Sequence, residues 1–235
     1  MNTLLIRLAG PMQSWGTQSR FSVRDTGFEP SKSGVVGLLC AALGRPRDAP
    51  LDDLNELRMG VRVDREGTMM RDYHTVQDVI RADQSGCQET VLSDRYYLAD
   101  ADFLVGLETE KLDFLRELSE ALAHPVWPLY LGRKAFPPAL PVRLPDGGLR
   151  VGCDLYTALV GEPWVKRWDA EPEPDRPLRL VLEADGPGPK TEVRADLPVT
   201  FVSRDRSFHL RYIRHDSVQF SELGVGGENP CTSPS

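Results

Sequence analysis

The sequence has no apolar run approaching the ~20 residues that a membrane crossing requires, so no membrane association is expected. Its start, Met1-Asn2-Thr3-Leu4-Leu5-Ile6-Arg7, lacks the charged lead and long apolar centre of a secretory signal, and a cytoplasmic location is the expectation. Cysteine is sparse: Cys40, Cys87, Cys153 and Cys231 stand far apart with no C-x-x-C pair. That spacing speaks against a zinc ribbon or a dithiol redox site, and four reduced thiols are expected. Positive charge is not in excess. Lys and Arg number 28 against 35 Asp and Glu, a net −7 over 235 residues. Such a balance argues against a protein that coats nucleic acid indiscriminately, because those domains carry surplus positive charge. It leaves room for a local basic site, since phosphates respond to nearby charge. G-x-G-x-x-G, G-x-S-x-G and H-E-x-x-H are all absent, which removes the motif basis for a dehydrogenase, an esterase or a zinc peptidase. Gly27 to Ser33 holds a glycine, a lysine and a serine, but it is one residue short of a phosphate loop and has no glycine before the lysine. No NTPase and no cofactor are expected.

What is present is an uneven charge distribution. Residues 1–47 carry a net +4, 127–153 a net +3 and 199–215 a net +3, whereas 83–126 carry −7 and 154–198 carry −4. Residues 2–9 read as a buried strand that stops at Gly10-Pro11. Residues 31–43, after Pro30 and before Gly44, read as a helix that is apolar nearly all round and so must be buried on most sides. A short acidic helix is expected within 48–57, a strand at 59–64, a strand at 96–108 and a helix at 110–122. Between them, 73–78 and 89–93 form the arms of a hairpin with a polar tip at 81–87. From 150 onward, short apolar pieces at 178–184, 197–203 and 207–213 suggest strands, with a proline-rich loop at 161–177. The order is compatible with a ferredoxin-like core carrying an inserted hairpin.

Three places carry chemistry that suits a polyanion. Ser31-Lys32-Ser33-Gly34 opens a helix, where free backbone N–H groups meet a cation and hydroxyls. Arg71-Asp72-Tyr73-His74 is rich in groups that stack on bases and bind phosphate. Gly132-Arg133-Lys134 is a glycine turn with two cations, set among Trp127, Tyr130 and Phe136. Gln13 and Trp15, in the loop after the first strand, offer an amide and an indole. A metal-free nuclease would need a general acid and base. Tyr73 and His74 are adjacent, so on a strand they point to opposite faces, which does not favour joint action.

Together these segments resemble a known family. Leu8–Gly16 (LAGPMQSWG), Pro30–Leu39 (PSKSGVVGLL), Arg71–Val76 (RDYHTV), Tyr97–Phe103 (YLADADF) and Pro128–Lys134 (PLYLGRK) are similar, in that order, to the CasD family of the type I-E CRISPR Cascade complex. The resemblance implies an α+β fold: a modified ferredoxin-like (RRM/RAMP) domain over 1–144, with a protruding thumb β-hairpin at about 74–96. A small β-rich C-terminal region over 145–222 and a disordered tail over 223–235 complete the expected organisation. It implies a non-catalytic, crRNA-binding role in CRISPR antiviral defence: capping the 5′ handle of the crRNA and touching the backbone subunit CasC and the large subunit CasA. Target DNA is engaged only indirectly, through the complex. The implied RNA-binding residues are Gln13, Trp15, Lys32, Ser33, Arg71, Tyr73, His74, Arg95, Gly132, Arg133 and Lys134. Arg95 matches the family's thumb-base arginine, and Lys134 stands where the family carries a second arginine. Some relatives of the family cleave precursor RNA, so a metal-independent endoribonuclease acting on CRISPR repeats, with His74 as acid or base, is the alternative.

Overall fold

A computed structural model describes residues 1–17, 22–81, 83–165, 176–202 and 205–224. It is a mixed α+β structure built on antiparallel sheet. The main sheet has seven strands: β1 (Asn2–Ala9), β4 (Arg58–Arg65), β7 (Asp102–Thr109), β8 (Leu149–Arg150), β9 (Leu178–Ala184), β10 (Thr191–Thr200) and β11 (Ser207–Val218). Their spatial order is β10-β11-β9-β4-β7-β1-β8. Helices α1 (Lys32–Leu43) and α3 (Leu112–Ala123) are packed on one face. The short α2 (Asp52–Asn55) precedes β4, and α4 (Leu155–Gly161) covers the opposite face.

Strand alternation assigns the two faces. Leu4, Ile6 and Leu8 of β1, with Met59, Val61 and Val63 of β4 and Phe103, Val105 and Leu107 of β7, point toward α1 and α3. Leu5, Leu104, Leu180 and Leu182 point toward α4. Gly60 and Gly106 admit α4 closely: a Cβ at either would lie 2.9 or 2.7 Å from Leu159 or Leu155. On the same face, the fully buried Arg62 donates to the carbonyls of Leu159 and Glu162 at 2.6 and 2.5 Å. This satisfies acceptors at the end of α4 that no helical N–H reaches.

The strands beyond residue 150 do not form a layer of their own. β9 pairs with β4 and so extends the sheet begun by β1. A buried ionic knot fastens this extension to α1. Asp196 of β10 accepts from the Lys32 backbone N–H at 2.9 Å and pairs with Arg211 of β11 at 2.6 and 3.0 Å. The Lys32 ammonium pairs with Glu183 of β9 at 2.9 Å and donates to the Asn55 carbonyl.

A second sheet is formed around β6 (Cys87–Ala99). β5 (Thr68–Ile80) runs antiparallel along one side of it, from Thr68 opposite Ala99 to Ile80 opposite Cys87. On the other side, β2 (Met12–Gln13) and β3 (Val23–Arg24) pair only with its second half, between Asp94 and Ala99. The outer part of β5–β6 is therefore a two-stranded ribbon standing away from its base.

Several expectations shift. The hairpin begins at Thr68 and ends at Ala99, outside the expected 74–96. With both faces of the ribbon exposed, its ends carry none of the apolar alternation that marks a half-buried strand. The single strand expected at 96–108 is two strands, because Asp100 takes a left-handed turn at φ 58° between β6 and β7. Aspartate tolerates that conformation better than most residues. Helix α4 carried too few residues to show a helical period. Cys153 is disulfide-bonded, so the expectation of four reduced thiols does not hold for it; Cys40 and Cys87 are free. Residues 225–235 of the expected tail and 166–175 of the proline-rich loop lie outside the described residues. None of the helices among the described residues is long and apolar enough to cross a membrane.

Burial alone would raise the Asp196 carboxyl, but the Arg211 pair outweighs it and holds the group below its ordinary value of 3.8. Its contribution to stability is therefore complete above pH 3.8 and lost as pH falls through the lower folded-state value. Asp196→Ala is expected to cost about 3 kcal/mol, because it takes the close bidentate partner from the buried Arg211 guanidinium and leaves it only Glu183 at 3.5 Å. Urea unfolding at pH 7 measures this, and an acid titration of the wild type should show the loss only below pH 3.8.

Candidate nucleic-acid interface

The base of the ribbon gathers three arginines from three parts of the chain. Arg24 of β3 lies in register with Arg95 of β6. Arg133 sits on the turn after Leu131 and donates through Nη2 to the Arg24 carbonyl at 3.2 Å. Its guanidinium lies 5.6 Å over the Phe136 ring. Arg95 donates to the Ser93 hydroxyl at 3.2 Å. Partial burial, followed by the like charges of Arg95 and Arg24, pulls Arg133 below its ordinary value, while Asp25 and Asp72 oppose this.

None of these three arginines makes an ion pair with a carboxylate among the described residues. Five sheet arginines behave otherwise: Arg7 pairs with Asp102, Arg62 with Asp64, Arg150 with Glu162, Arg179 with Glu29 and Glu66, and Arg211 with Asp196. The cluster therefore presents mutually repelling cations whose repulsion a bound anion would relieve.

The cluster rests on an interlocked floor. The Trp15 indole lies against Gly34 of α1, where a Cβ would come within 2.8 Å of the ring. Its Nε1 donates to Gln13 Oε1 at 3.2 Å, and Gln13 Nε2 donates to the carbonyls of Leu8 and Ala101. The Trp15 backbone is held by Thr26 and Gly27. The Arg133 turn closes from above: Ser14 N–H donates to the Leu131 carbonyl at 3.1 Å, and Gly132 adopts φ 84°. A Cβ on Gly132 would fall 1.7 Å from the Ser14 carbonyl oxygen.

This geometry reassigns several expected contacts. Gln13 and Trp15 are 0% and 1% exposed with their polar groups engaged, so they support the surface and offer no stacking platform. Lys32, 2% exposed, is spent on Glu183, and Asp196 occupies the helix N–H that an external anion would need. Ser33 is buried against Ser31. Gly132 acts through its backbone shape. The exposed candidates are Arg71, which faces Asp94 at 3.7 Å, Tyr73, Lys134, and the half-exposed His74. His74 pairs with Asp72 on one face of the ribbon, while Tyr73 faces the other. Arg24 escaped the sequence reading: no motif marks it, and the parallel pairing with β6 brings it to the cluster. Among the described residues, no group of three or more His, Cys, Asp and Glu is placed to hold a metal ion.

Comparison with known proteins agrees in kind. Residues 3–214 match the family described as "CRISPR-associated protein (Cas_Cas5)". The chain is 39% identical over 156 residues to the CRISPR system Cascade subunit CasD of Escherichia coli (strain K12), covering 60% of this chain and 69% of that protein. A crystal structure of a Cas protein superimposes with a TM-score of 0.73 at 42% identity, covering 96% of this chain and 100% of the other. A chain of a CRISPR RNA-guided surveillance complex gives 0.77 at 36% identity, over 92% and 90%.

Two substitutions in the floor separate its parts. Gly132→Ala is expected to destabilise by about 2 kcal/mol or more, through backbone strain and the clash with Ser14. Trp15→Phe leaves the buried Gln13 Oε1 without its donor and is expected to cost about 1–3 kcal/mol. Chemical denaturation reads both.

Proposed function

The chain belongs to the CRISPR-associated Cas5 family, and from that premise we propose that it is a non-catalytic, crRNA-binding subunit of a type I-E Cascade complex. In this reading it caps the 5′ handle of the crRNA. The observation that carries it is the cluster of Arg24, Arg95 and Arg133, three neighbouring cations without a carboxylate partner among the described residues. RNA phosphates supply the missing counter-charge, and guanidiniums bind phosphate through paired N–H donors. Phosphate contacts position RNA without reading its sequence, so handle recognition falls to groups with hydrogen-bonding or stacking surface at the ribbon base. Arg71, Tyr73, His74 and Lys134 are the exposed candidates.

The fold reading is supported by strand order. The succession β1-α1-β4-β7-α3-β8, with β4-β7-β1-β8 side by side, has the order of a ferredoxin-like domain. Residues 1–144 then form a RAMP-type core lacking only its short last strand β8, and 145–222 extend its sheet. The β5–β6 ribbon takes the role of the thumb, set between handle and spacer. Its long exposed surface suits contact with both RNA and a neighbouring subunit, which we assign to the backbone subunit CasC. The large subunit CasA is assigned to the remaining surface, and target DNA is met only through the assembly. The endoribonuclease alternative gains no support, because Tyr73 and His74 diverge across the ribbon.

Arg95→Ala and Arg133→Ala are each expected to weaken binding of handle RNA about tenfold and to flatten its salt dependence by roughly 0.7 per lost phosphate contact. Fluorescence anisotropy across a sodium chloride series reads both effects, and unchanged affinity would remove the cluster from the interface. Labelled repeat RNA incubated with the protein in EDTA is expected to remain intact; cleavage abolished by His74→Ala would establish the enzyme instead.

A further inference from the structure

A carboxylate stands directly across the ribbon from one of the cluster arginines, yet the two do not pair. Asp72 of β5 is in register with Arg95 of β6. Side chains so placed share a face, with Cβ atoms about 5 Å apart, near enough for an ion pair. Asp72 turns along its own strand instead, where its Oδ2 accepts from His74 Nε2. Arg95 turns along β6 and donates through Nε to the Ser93 hydroxyl at 3.2 Å. Ser93 is the register partner of His74. Asp72, His74, Ser93 and Arg95 therefore form a square on one face of the ribbon, bonded along each strand. Among the described residues, no side-chain hydrogen bond crosses from one strand to the other within it.

The direction of the Asp72 carboxylate decides what Arg95 has to offer. Elsewhere in this chain a carboxylate that meets a guanidinium takes it with both oxygens, as Asp102 takes Arg7 and Asp64 takes Arg62. Turned across the ribbon, Asp72 would occupy Arg95 in the same way and fill the paired donors that a phosphate needs. Held along β5, it leaves both Nη groups of Arg95 without a partner among the described residues. No other neighbour on β5 supplies that hold. Met70, on the same face to the other side of Asp72, has no donor. Arg71 and Tyr73 point to the opposite face, where Arg71 meets Asp94. The Asp72 charge still reaches the cluster, since it favours the charged form of Arg133 against the repulsion of Arg95 and Arg24.

We infer that His74 is a positioning residue: by holding the Asp72 carboxylate along β5, it keeps the Arg95 guanidinium open to an RNA phosphate without touching the RNA itself. The inference rests on the RNA-binding reading above and gives His74 a task other than base contact. It also accounts for a cation cluster that stays unpaired with a carboxylate in register beside it.

The test uses the full chain, a fluorescein-labelled single-stranded RNA of the handle and a sodium chloride series, with Arg95→Ala as the reference. His74→Ala releases Asp72 to pair with Arg95. It is expected to weaken binding about fivefold and to lower the salt slope by roughly 0.7, one phosphate contact, as Arg95→Ala does. His74→Gln, whose amide donates to the same carboxylate, should keep most of both. Asp72→Ala should bind at least as tightly as wild type with the slope intact. The decisive variant is Asp72→Ala combined with His74→Ala, which should recover the affinity and slope of Asp72→Ala alone. A structural loss caused by the missing imidazole would not be repaired by a second truncation. If the double variant binds as weakly as His74→Ala, the imidazole acts on the RNA or the fold directly and the inference is overturned. It is equally overturned if His74→Ala matches wild type while Arg95→Ala weakens binding, in which case the cluster stands. If Arg95→Ala is also silent, the RNA-binding placement of the cluster fails and the role of His74 falls with it.

Discussion

Everything at the base of the ribbon depends on the contact between one indole and one helix without side-chain bulk. Trp15 fits against α1 only because position 34 is glycine, and it stays there because Gln13 accepts from its Nε1. Gln13 in turn bridges the carbonyls of Leu8, near the end of β1, and Ala101, just before the neighbouring β7. The loop after β1, the start of α1, the 24–27 segment and the 131–136 turn are therefore positioned by one another. Trp15, Gln13 and Gly34 carry no charge, yet together they help decide where three charges meet. A surface built this way is preorganised: its cations are brought together by apolar packing and backbone hydrogen bonds, so their repulsion is already borne before any anion arrives.

The chain treats its arginines in two ways, and the contrast separates scaffold from surface. Along the sheet Arg7, Arg62 and Arg211 are buried against carboxylates, and Arg62 also caps backbone carbonyls at the end of α4. Such pairs cost desolvation, so they are retained where geometry supplies full hydrogen bonding. Arg211, Asp196, Lys32 and Glu183 meet that condition and join the last strands to the first helix. At the ribbon base the guanidiniums instead touch rings, hydroxyls and carbonyls. They are oriented but not neutralised, which is the state a phosphate-binding group needs before its ligand is present.

How much of this was legible in the sequence follows from the range of the interactions. Apolar periodicity marked β1, α1, α3 and β9 closely, because their burial patterns are local. The ribbon was blurred, since strands exposed on both faces lack a pattern to read. The Gly132 turn was legible as basic and tight, but its purpose, to press against Ser14, is a contact across more than a hundred residues. Lys32 and Ser33 looked like an anion site because a helix start with a cation and hydroxyls normally is one. Asp196, far along the chain, supplies that anion from within. Trp15 and Gln13 were legible as important and expected among the RNA-binding residues, and both are buried, for motif residues do not announce whether they touch the ligand or hold what does.

The net charge of −7 gains a physical meaning from this arrangement. An acidic envelope repels polyanions at long range, and the Debye length of about 8 Å at physiological salt confines the pull of the basic cluster to its own neighbourhood. In the proposed RNA-binding role, RNA is then held only where the guanidiniums and the glycine turn meet it in the right shape. Added positive charge elsewhere would raise affinity for any RNA and dilute that selection, because phosphate attraction is blind to sequence. Acidity over the rest of the chain is therefore compatible with binding RNA at one local basic site.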